Sequence, residues 1–220
     1  MKHILTLGNI EFESCKLPKI EIKQGEVTVL LGSSFPQKIF DHLLLIKEMD
    51  QLKIDFFDPF IENPETRRKN IGFVFSHQGL ISNLSLLHNV DLPARYHGIY
   101  GEKQDLHFAR KSLKDINIPE EQWGLRPHMV NSETRKLTLF ARSIVMAPRI
   151  LLIKDPTFLI SYHRKKELQK WIHLQKKNRA IIIGTDDYYF STKVADQLFS
   201  PSEKKYITDK EKISSILGGV

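Results

Sequence analysis

The sequence predicts an α/β fold built on a mostly parallel sheet. Its apolar residues form near-continuous, β-rich runs that are separated by stretches with helical spacing. A run without alternation is typical of a strand buried on both faces, as in a parallel sheet covered by helices. The N-terminal segment alternates instead, which is typical of antiparallel strands. The four continuous runs are residues 27–31, 71–75, 150–153 and 180–183.

The N-terminal part is predicted to be antiparallel. Leu5 and Leu7 alternate with polar neighbours, and the same pattern returns at Ile20 and Ile22. Such alternation predicts short strands with one buried face. The first continuous run then ends at a glycine, and residues 38–49 carry apolar side chains at helical spacing. This order predicts a strand, a loop and a helix.

A helical lobe is predicted between the second and third continuous runs. Three segments there have helical rather than strand periodicity, and prolines mark their boundaries. The chain is therefore predicted to be a single module in which a lobe interrupts a core, with a loosely held strand or helix near the C-terminus. The helical segments are residues 84–96, 104–116 and 133–146, the lobe covers about 79–146, and the core covers about 1–78 and 147–220.

Length and composition predict a soluble, cytosolic protein. A chain of 220 residues buries about 70% of the surface that its unfolded form exposes. No apolar run approaches the roughly 18 residues that indicate a spanning helix, and the N-terminus lacks the pattern of a secretory signal. The single cysteine, Cys15, excludes an internal disulfide and is predicted to be a small packed residue rather than a nucleophile.

The charge balance is moderately basic. Thirty-three Lys and Arg against 26 Asp and Glu give +7, which is compatible with nucleic acid, an anionic membrane face or an acidic partner. The basic clusters at 67–69, 163–166 and 176–179 have no interleaved aromatic residues to act as stacking platforms. They are therefore interpreted as solvated helix faces, and no nucleic-acid partner is expected.

A segment that follows the first continuous run has part of a phosphate-binding loop. The pattern G-x-x-x-x-G-K-[ST] needs glycines for backbone approach, lysine for charge and a hydroxyl for magnesium. Gly32, Ser34 and Lys38 match this pattern as weak remnants of a nucleotide site. Gln37 stands in place of the second glycine, and Ile39 stands in place of the hydroxyl. Magnesium coordination from this loop is therefore predicted to be lost.

The order of segments resembles the nucleotide-binding domain of ABC transporters over nearly the whole chain. It is most similar to the short bacterial cassettes of the Mla, FtsE and LolD types. The resemblance implies a P-loop NTPase-like ABC cassette with a RecA-like core. Its P-loop, Q-loop, signature helix with Walker B, and switch strand correspond here to VTVLLGSS…K, IGFVFSHQGLISNLSLLHNV, ETRKLTLFARSIVMAPRILLIKDPT and IIIGTDD.

The resemblance also implies losses at the Q-loop and the signature. The Q-loop glutamine aligns with Ser76, whose hydroxyl is shorter, and Gln78 can replace it only if the loop shifts. The signature, which contacts the γ-phosphate held by a dimer partner, aligns with residues 130–134 and includes Asn131 and Glu133. A carboxylate facing a triphosphate costs roughly 4 kcal/mol for unit charges at about 4 Å and a dielectric near 20.

Further losses are implied at Walker B and beyond. Its two acids align with Lys154 and Asp155, so a lysine takes the place of the magnesium ligand and a shorter acid takes that of the general base. The switch histidine aligns with Asp186, the D-loop aspartate with Ser161, and a P-loop glycine with Phe35. Asp155 is thus the remnant of a catalytic position, and no catalytic motif is intact.

Four charged residues are implied to converge where Mg-ATP lies in the family. They are Lys38, Lys154, Asp155 and Asp186. One hypothesis is an internal network in which the two cations pair with the two carboxylates, since buried charges need partners. The alternative is that Lys38 and Asp186 point to water across an open cleft.

The predicted function is that of a non-hydrolysing subunit, a pseudo-ATPase without a cofactor. By the resemblance it docks on a membrane permease at the inner face of the membrane, as a structural or regulatory part of a bacterial transport system, with lipid as one candidate cargo. A homodimer and pairing with a second cassette stay open. Residues 79–96 border the permease groove in the family, although Leu80, Leu84, Leu86 and Leu87 equally fit a core.

The alternative function is a divergent, slow ABC ATPase that energises transport. It would bind ATP with magnesium weakly through Lys38 and hydrolyse it with Asp155. Because phosphoryl transfer depends on positioning and charge stabilisation, the combined losses favour the inactive subunit over the slow enzyme.

Overall fold

The computed structural model describes residues 2–8, 11–12, 15–16, 19–32, 34–47, 53–76, 79–99, 106–200, 205–208 and 213. The strands are β1 (His3–Gly8), β2 (Glu11–Phe12), β3 (Cys15–Lys16), β4 (Ile20–Lys23), β5 (Val27–Leu31), β6 (Lys53–Phe56), β7 (Ile71–Val74), β8 (Ile150–Lys154), β9 (Ala180–Thr185), β10 (Gln197–Ser200) and β11 (Lys205–Ile207). The helices are α1 (Ser34–Leu43), α2 (Pro59–Glu62), α3 (Pro64–Asn70), α4 (Leu86–Tyr96), α5 (His107–Asp115), α6 (Ser132–Ile144), α7 (Tyr162–Gln175) and α8 (Tyr188–Val194).

The main sheet confirms the predicted α/β architecture. Its strand order is β11-β10-β5-β9-β8-β7, and all neighbours are parallel except β10 and β11. The four predicted runs are its strands β5, β7, β8 and β9. Each of these strands is buried on both faces or nearly so, which is why the sequence shows no alternation there.

The N-terminal sheet is antiparallel, as the alternation predicts. β1 lies in the middle, with β4 on one side and β6 on the other. The sequence pattern did not reveal β6, because its four residues, KIDF, are only exposed or half-buried and give a weak apolar signal. Asp58, which follows β6, holds this sheet to the core by accepting bonds from Lys2 at 3.1 Å and Arg149 at 2.9 Å.

The segment between β7 and β8 contributes three helices, α4, α5 and α6, within its described residues. The three helices start one to three residues from the predicted positions, and capping explains two of the starts. Ser85 accepts a bond from His88 N–H at the start of α4, and Asn131 does the same for Thr134 N–H at the start of α6. The exact limits of the lobe stay a prediction.

None of the helices in the described part of the chain combines the length and apolar character needed to cross a bilayer.

The core lies on both faces of the main sheet. Because side chains of a strand alternate between faces, Leu151 and Ile153 of β8 pack with the helices of the 86–144 segment and α7. Ile150 and Leu152 point the other way and pack with α1 and the N-terminal sheet. The sheet therefore holds α1 and the end of β8 in fixed positions, and these two elements carry the predicted site residues.

Candidate functional site

Helix α1 replaces the loop that would hold phosphates. It begins at Ser34, about one turn before Lys38, where the sequence placed its start. Phe35 is only 2% exposed, and its ring lies 5.5 Å from the ring of Phe199. Pro36 is buried in the first turn, where proline is tolerated in a helix. The predicted helix start was wrong because Phe35 and Pro36 fill the core instead of bordering a loop.

Strand β9 leaves room for this arrangement through a glycine. A Cβ atom added at Gly184 would lie 2.4 Å from Pro36 Cβ and 3.4 Å from the ring of Phe40. Ile39, predicted to replace a magnesium ligand, is also buried in this part of the core. Of the predicted P-loop remnants, Ser34 and Lys38 are exposed on α1.

A lysine at the end of β8 reaches α1. Lys154 Nζ donates a hydrogen bond to Gln37 Oε1. Gln37 Nε2 in turn donates to Asp41 Oδ1 at 2.5 Å, one helical turn further along. The structure thus brings together the predicted positions Gln37 and Lys154, which come from the P-loop and Walker B segments. The predicted pairing of Lys154 with a neighbouring carboxylate was wrong, since its ammonium bonds to an amide.

Asp155 follows Lys154 in a left-handed backbone conformation, with φ of 45°. Its N–H donates to Gly184 O at 2.8 Å, and Ser76 Oγ donates to its carboxylate at 2.8 Å. Two predicted site residues, Ser76 and Asp155, are therefore in direct contact. Gln78, the alternative to Ser76, lies outside the described residues.

A buried lysine that sequence reasoning missed joins these segments. Lys136 of α6 is 1% exposed, and its Nζ donates to three backbone oxygens: Phe75 O at 2.7 Å, Ser76 O at 2.8 Å and Lys154 O at 3.2 Å. Burial lowers the pKa of Lys136 to about 7, and the carboxylate of Asp155 opposes this shift. The signal available in the sequence was a lysine at helical spacing from Phe140 on the apolar side of α6.

The signature positions have structural partners. Asn131 caps α6 through the bond from Thr134 N–H at 2.7 Å. Glu133 Oε1 accepts a bond from Ser161 N–H at 2.7 Å, at the start of α7. Glu133 and Ser161, predicted in two different motifs, therefore meet. A carboxylate near a helix N-terminus is also favoured by the helix dipole.

Two neighbouring aspartates in the switch segment have different surroundings. Asp186, the predicted residue, is exposed. The next residue, Asp187, was not predicted, but it accepts bonds from Thr157 Oγ1 at 2.8 Å, Lys165 Nζ at 3.0 Å and Phe190 N–H at 2.9 Å. It caps α8 and fixes the segment after Walker B to the segment after the switch strand.

The loop before α4 is organised by a buried amide. Asn89 is fully buried and bonds to both backbone groups of Ile81, accepting from its N–H at 2.7 Å and donating to its C=O at 3.0 Å. Leu86 is buried in the core, and Leu80 and Leu87 pack against it from partly buried positions. Ile81 itself is 44% exposed, and Phe75, at the end of the preceding segment, is 43% exposed.

The residues at this site do not fit Mg-ATP. A triphosphate needs an open glycine loop, but residues 34–38 are helical and carry two buried side chains. Magnesium needs oxygen ligands, but a buried isoleucine and a lysine ammonium stand at the corresponding positions, Ile39 and Lys154. Among the described residues, no group of three or more His, Cys, Asp or Glu side chains is arranged to hold a metal ion.

Comparison with known proteins gives the family context. No family model matches the chain. The sulfate/thiosulfate import ATP-binding protein CysA of Pseudomonas putida is 24% identical over 193 residues, which are 85% of this chain and 59% of CysA. The glutamine transport ATP-binding protein GlnQ of Geobacillus stearothermophilus is 26% identical over 198 residues, covering 86% of this chain and 80% of GlnQ. The chain is thus similar to ATP-binding subunits of ABC transporters.

Solved structures show the same cassette fold. CbiO1 from Clostridium perfringens, described as part of the ABC transporter complex CbiONQ, has a TM-score of 0.77 at 23% identity, with 98% of this chain and 92% of CbiO1 covered. The ATP-binding cassette MJ0796, as a post-hydrolysis dimer with ADP and phosphate, has a TM-score of 0.72 at 19% identity, with 90% and 94% covered. The predicted ABC-cassette resemblance is confirmed. The cassette spans only about 59% of the length of the CysA relatives.

Proposed function

We propose that this cassette is a non-hydrolysing subunit of an ABC-type transport system that docks on a membrane permease. The observation that carries the proposal is the contact between Lys154 and Gln37 beside a helical phosphate segment. An ammonium and an amide at positions that by the resemblance belong to a divalent ion and an open loop support a subunit without hydrolysis. The subunit then acts as a structural or regulatory component, at the inner face of the membrane.

The cross-links around Lys136 support the same proposal. Phe75 O and Ser76 O, in the segment that resembles the Q-loop, are bound to a lysine of α6. Lys154 O, at the end of β8, is bound to the same ammonium. Local order of this kind favours one fixed arrangement of lobe and core, because all three carbonyl oxygens lose a partner if the parts separate.

The order in the loop before α4 supports docking. Asn89 bonds to both the N–H and the C=O of Ile81. The loop therefore has a defined conformation, although the residues that bind nucleotide in the family are replaced. The fixed loop presents Ile81 to solvent, and Phe75, which directly follows β7, is exposed as well. Exposed apolar surface on a rigid support is a feature of protein interfaces.

The first prediction concerns ATP turnover. The wild-type cassette with Mg-ATP is expected to release phosphate at the rate of a blank without protein, because the side chains of Ile39 and Lys154 offer no oxygen ligand for magnesium. Asp155→Asn is expected to change nothing. Phosphate release measured over several hours with micromolar protein checks both statements.

The slow-ATPase alternative makes the opposite prediction. Turnover above the blank that Asp155→Asn removes, together with Mg-ATP binding that Lys38→Ala removes, would contradict the proposal. These two variants separate catalysis at Walker B from nucleotide held at the P-loop remnant, and neither outcome depends on a partner.

The second prediction concerns the permease. The double variant Phe75→Asp/Ile81→Asp is expected to lower recovery of the permease in co-purification from the native source by about tenfold, because two buried charges in an interface cost several kcal/mol. Ile46→Asp is the matched control, since Ile46 is 66% exposed and lies beyond α1. Equal losses in both variants, or no loss in either, would contradict docking through this loop.

The cargo and the assembly are proposed more broadly. The relatives CysA and GlnQ are named for sulfate/thiosulfate import and glutamine transport. Neither name indicates lipid, which stays a candidate cargo through the Mla-type resemblance alone. MJ0796 forms a dimer, and a homodimer or pairing with a second cassette is proposed here, with residues 130–134 and Ser161 near the shared surface.

A further inference from the structure

A cleft with four lysines and two tyrosines lies between α7 and α8. It shares Asp187 and Lys165 with the switch segment described above, but none of the described P-loop or Walker B positions lines it. Its volume is about 490 Å³, within the range of roughly 300–1,000 Å³ that is usual for small-molecule sites. Helix α7 supplies one wall and α8 the other. Lining this α7–α8 cleft are Tyr162, Lys165, Lys166, Lys170, Tyr189 and Lys193.

The cleft keeps an excess of positive charge. Its acid, Asp187, is paired with Lys165 at 3.0 Å. Within the part of the chain that the structure describes, no salt bridge involves Lys166, Lys170 or Lys193. Three ammonium groups around one concave surface repel one another, so an anion that enters between them is attracted by all three.

The acidic side chain of α7, Glu167, does not line this cleft. Glu167 bonds to Arg164 at 2.6 Å and borders a different cavity, on the side of the helix that faces α5 and α6. Arg164 borders that other cavity and does not line the cleft, whose basic side chains include four lysines. A lysine ammonium is a compact point charge that attracts phosphate oxygens without the fixed bidentate geometry of the arginine fork.

The two tyrosines give the cleft faces for a ring. Tyr162 is 73% exposed and Tyr189 is 57% exposed. Lys166 Nζ lies 5.8 Å from the centre of the Tyr162 ring, and Lys193 Nζ lies 5.3 Å from that of Tyr189. Each ammonium thus lies over a tyrosine ring in a cation–π contact. A planar ligand group that stacks on the ring would replace this contact and leave the ammonium for a phosphate.

We propose that the α7–α8 cleft binds a small anion with two or more phosphate groups, and that a ring on such a ligand stacks on Tyr162 or Tyr189. The concave shape favours a small free ligand over a flat membrane surface. A phosphate ligand here would act on the cassette without nucleotide at the P-loop remnant, through Asp187, which joins α8 to Thr157 after β8.

The test is calorimetric titration of the full chain with inorganic pyrophosphate and with ATP, without magnesium. The cleft variant Lys166→Gln/Lys170→Gln/Lys193→Gln is expected to lose at least about tenfold in affinity for both ligands. The control variant Lys69→Gln/Lys111→Gln/Lys114→Gln removes the same charge from exposed positions elsewhere and is expected to bind as the wild type does. Tyr162→Leu/Tyr189→Leu is expected to weaken ATP about fivefold or more, with pyrophosphate unchanged.

Three results would overturn the proposal. The first is the absence of saturable binding, including binding seen only with phosphatidylglycerol vesicles, which would assign the lysines to a membrane surface. The second is an equal loss in the cleft and control variants, which would show general charge attraction. The third is a loss of binding in Lys38→Ala, which would place the ligand at the P-loop remnant. All substituted lysines are exposed, and an unchanged circular dichroism spectrum checks that the variants fold.

Discussion

Lys136→Met is expected to lower the free energy of unfolding by about 3 kcal/mol at pH 9 and by much less at pH 6.5. Methionine keeps the volume of the buried side chain but donates no hydrogen bond. The neutral amine that is present at pH 9 has two N–H donors to share among Phe75 O, Ser76 O and Lys154 O, and the variant has none. An unsatisfied buried group costs about 1–3 kcal/mol. Unfolding by denaturant at the two pH values measures the difference.

The pH dependence follows from the buried ammonium. In the folded chain the pKa of Lys136 is about 7, whereas its ordinary value is 10.5. Between these values the unfolded state binds more protons than the folded state, so the stability of the wild type rises with pH, by up to about 1.4 kcal/mol per pH unit. The methionine variant lacks this contribution, and the other titrating groups cancel in the comparison.

Lys111→Met is the matched control, because Lys111 is exposed on α5. It is expected to be neutral at both pH values. A difference between wild type and Lys136→Met that is the same at pH 6.5 and 9 would show that the folded state does not release the proton in this range. A difference that shrinks as pH rises would show that the three carbonyl oxygens and Asp155 stabilise the ammonium more than burial destabilises it.

The main sheet was predictable because burial on both faces leaves a direct trace in the sequence. Residues 150–153 and 180–183 have no polar position, and neighbouring strands of this kind have few alternatives. Strand β6 left no such trace, since only Ile54 and Phe56 pack against the core and its other residues are polar. Its place beside β1 depends on pairing between residues far apart in the chain.

The site was predicted in its positions but not in its contacts. Alignment with the family motifs indicated Gln37 and Lys154, yet their hydrogen bond joins residues more than a hundred positions apart. Lys136 likewise depends on oxygens of Phe75 and Ser76, which no local pattern connects to α6. Backbone acceptors have no residue signature, so periodicity indicates that a lysine is buried without indicating what satisfies it.

The early start of α1 had a local signal that the family resemblance masked. Proline is common in the first turn of a helix, where its missing N–H is not needed, and Pro36 lies in that turn. The P-loop pattern instead placed a loop up to Lys38. The two interpretations differ in what Phe35 does: in a loop its side chain borders phosphate, whereas in a helix it fills the core.

Phe35→Gly separates these interpretations and is expected to lower the free energy of unfolding by about 4 kcal/mol. Removal of a buried aromatic side chain costs roughly 3–5 kcal/mol, and glycine inside a helix adds about 1 kcal/mol relative to alanine. The contact with Phe199 at 5.5 Å is also lost. Thermal or denaturant unfolding measures the change, and a loss this large is typical of a core position.

Ser34→Gly is the control, since Ser34 is exposed at the start of the same helix and the change is expected to cost less than about 1 kcal/mol. Both variants move the segment towards the glycine-rich pattern of a phosphate loop, so Mg-ATP binding is measured alongside stability. Neither variant is expected to gain binding, because Ile39 and Lys154 still occupy the positions of the magnesium ligands. A Phe35→Gly variant that keeps its stability and binds Mg-ATP more tightly than the wild type would contradict the proposed function, because the segment would then be a loop blocked by one side chain rather than a helix that belongs to the core.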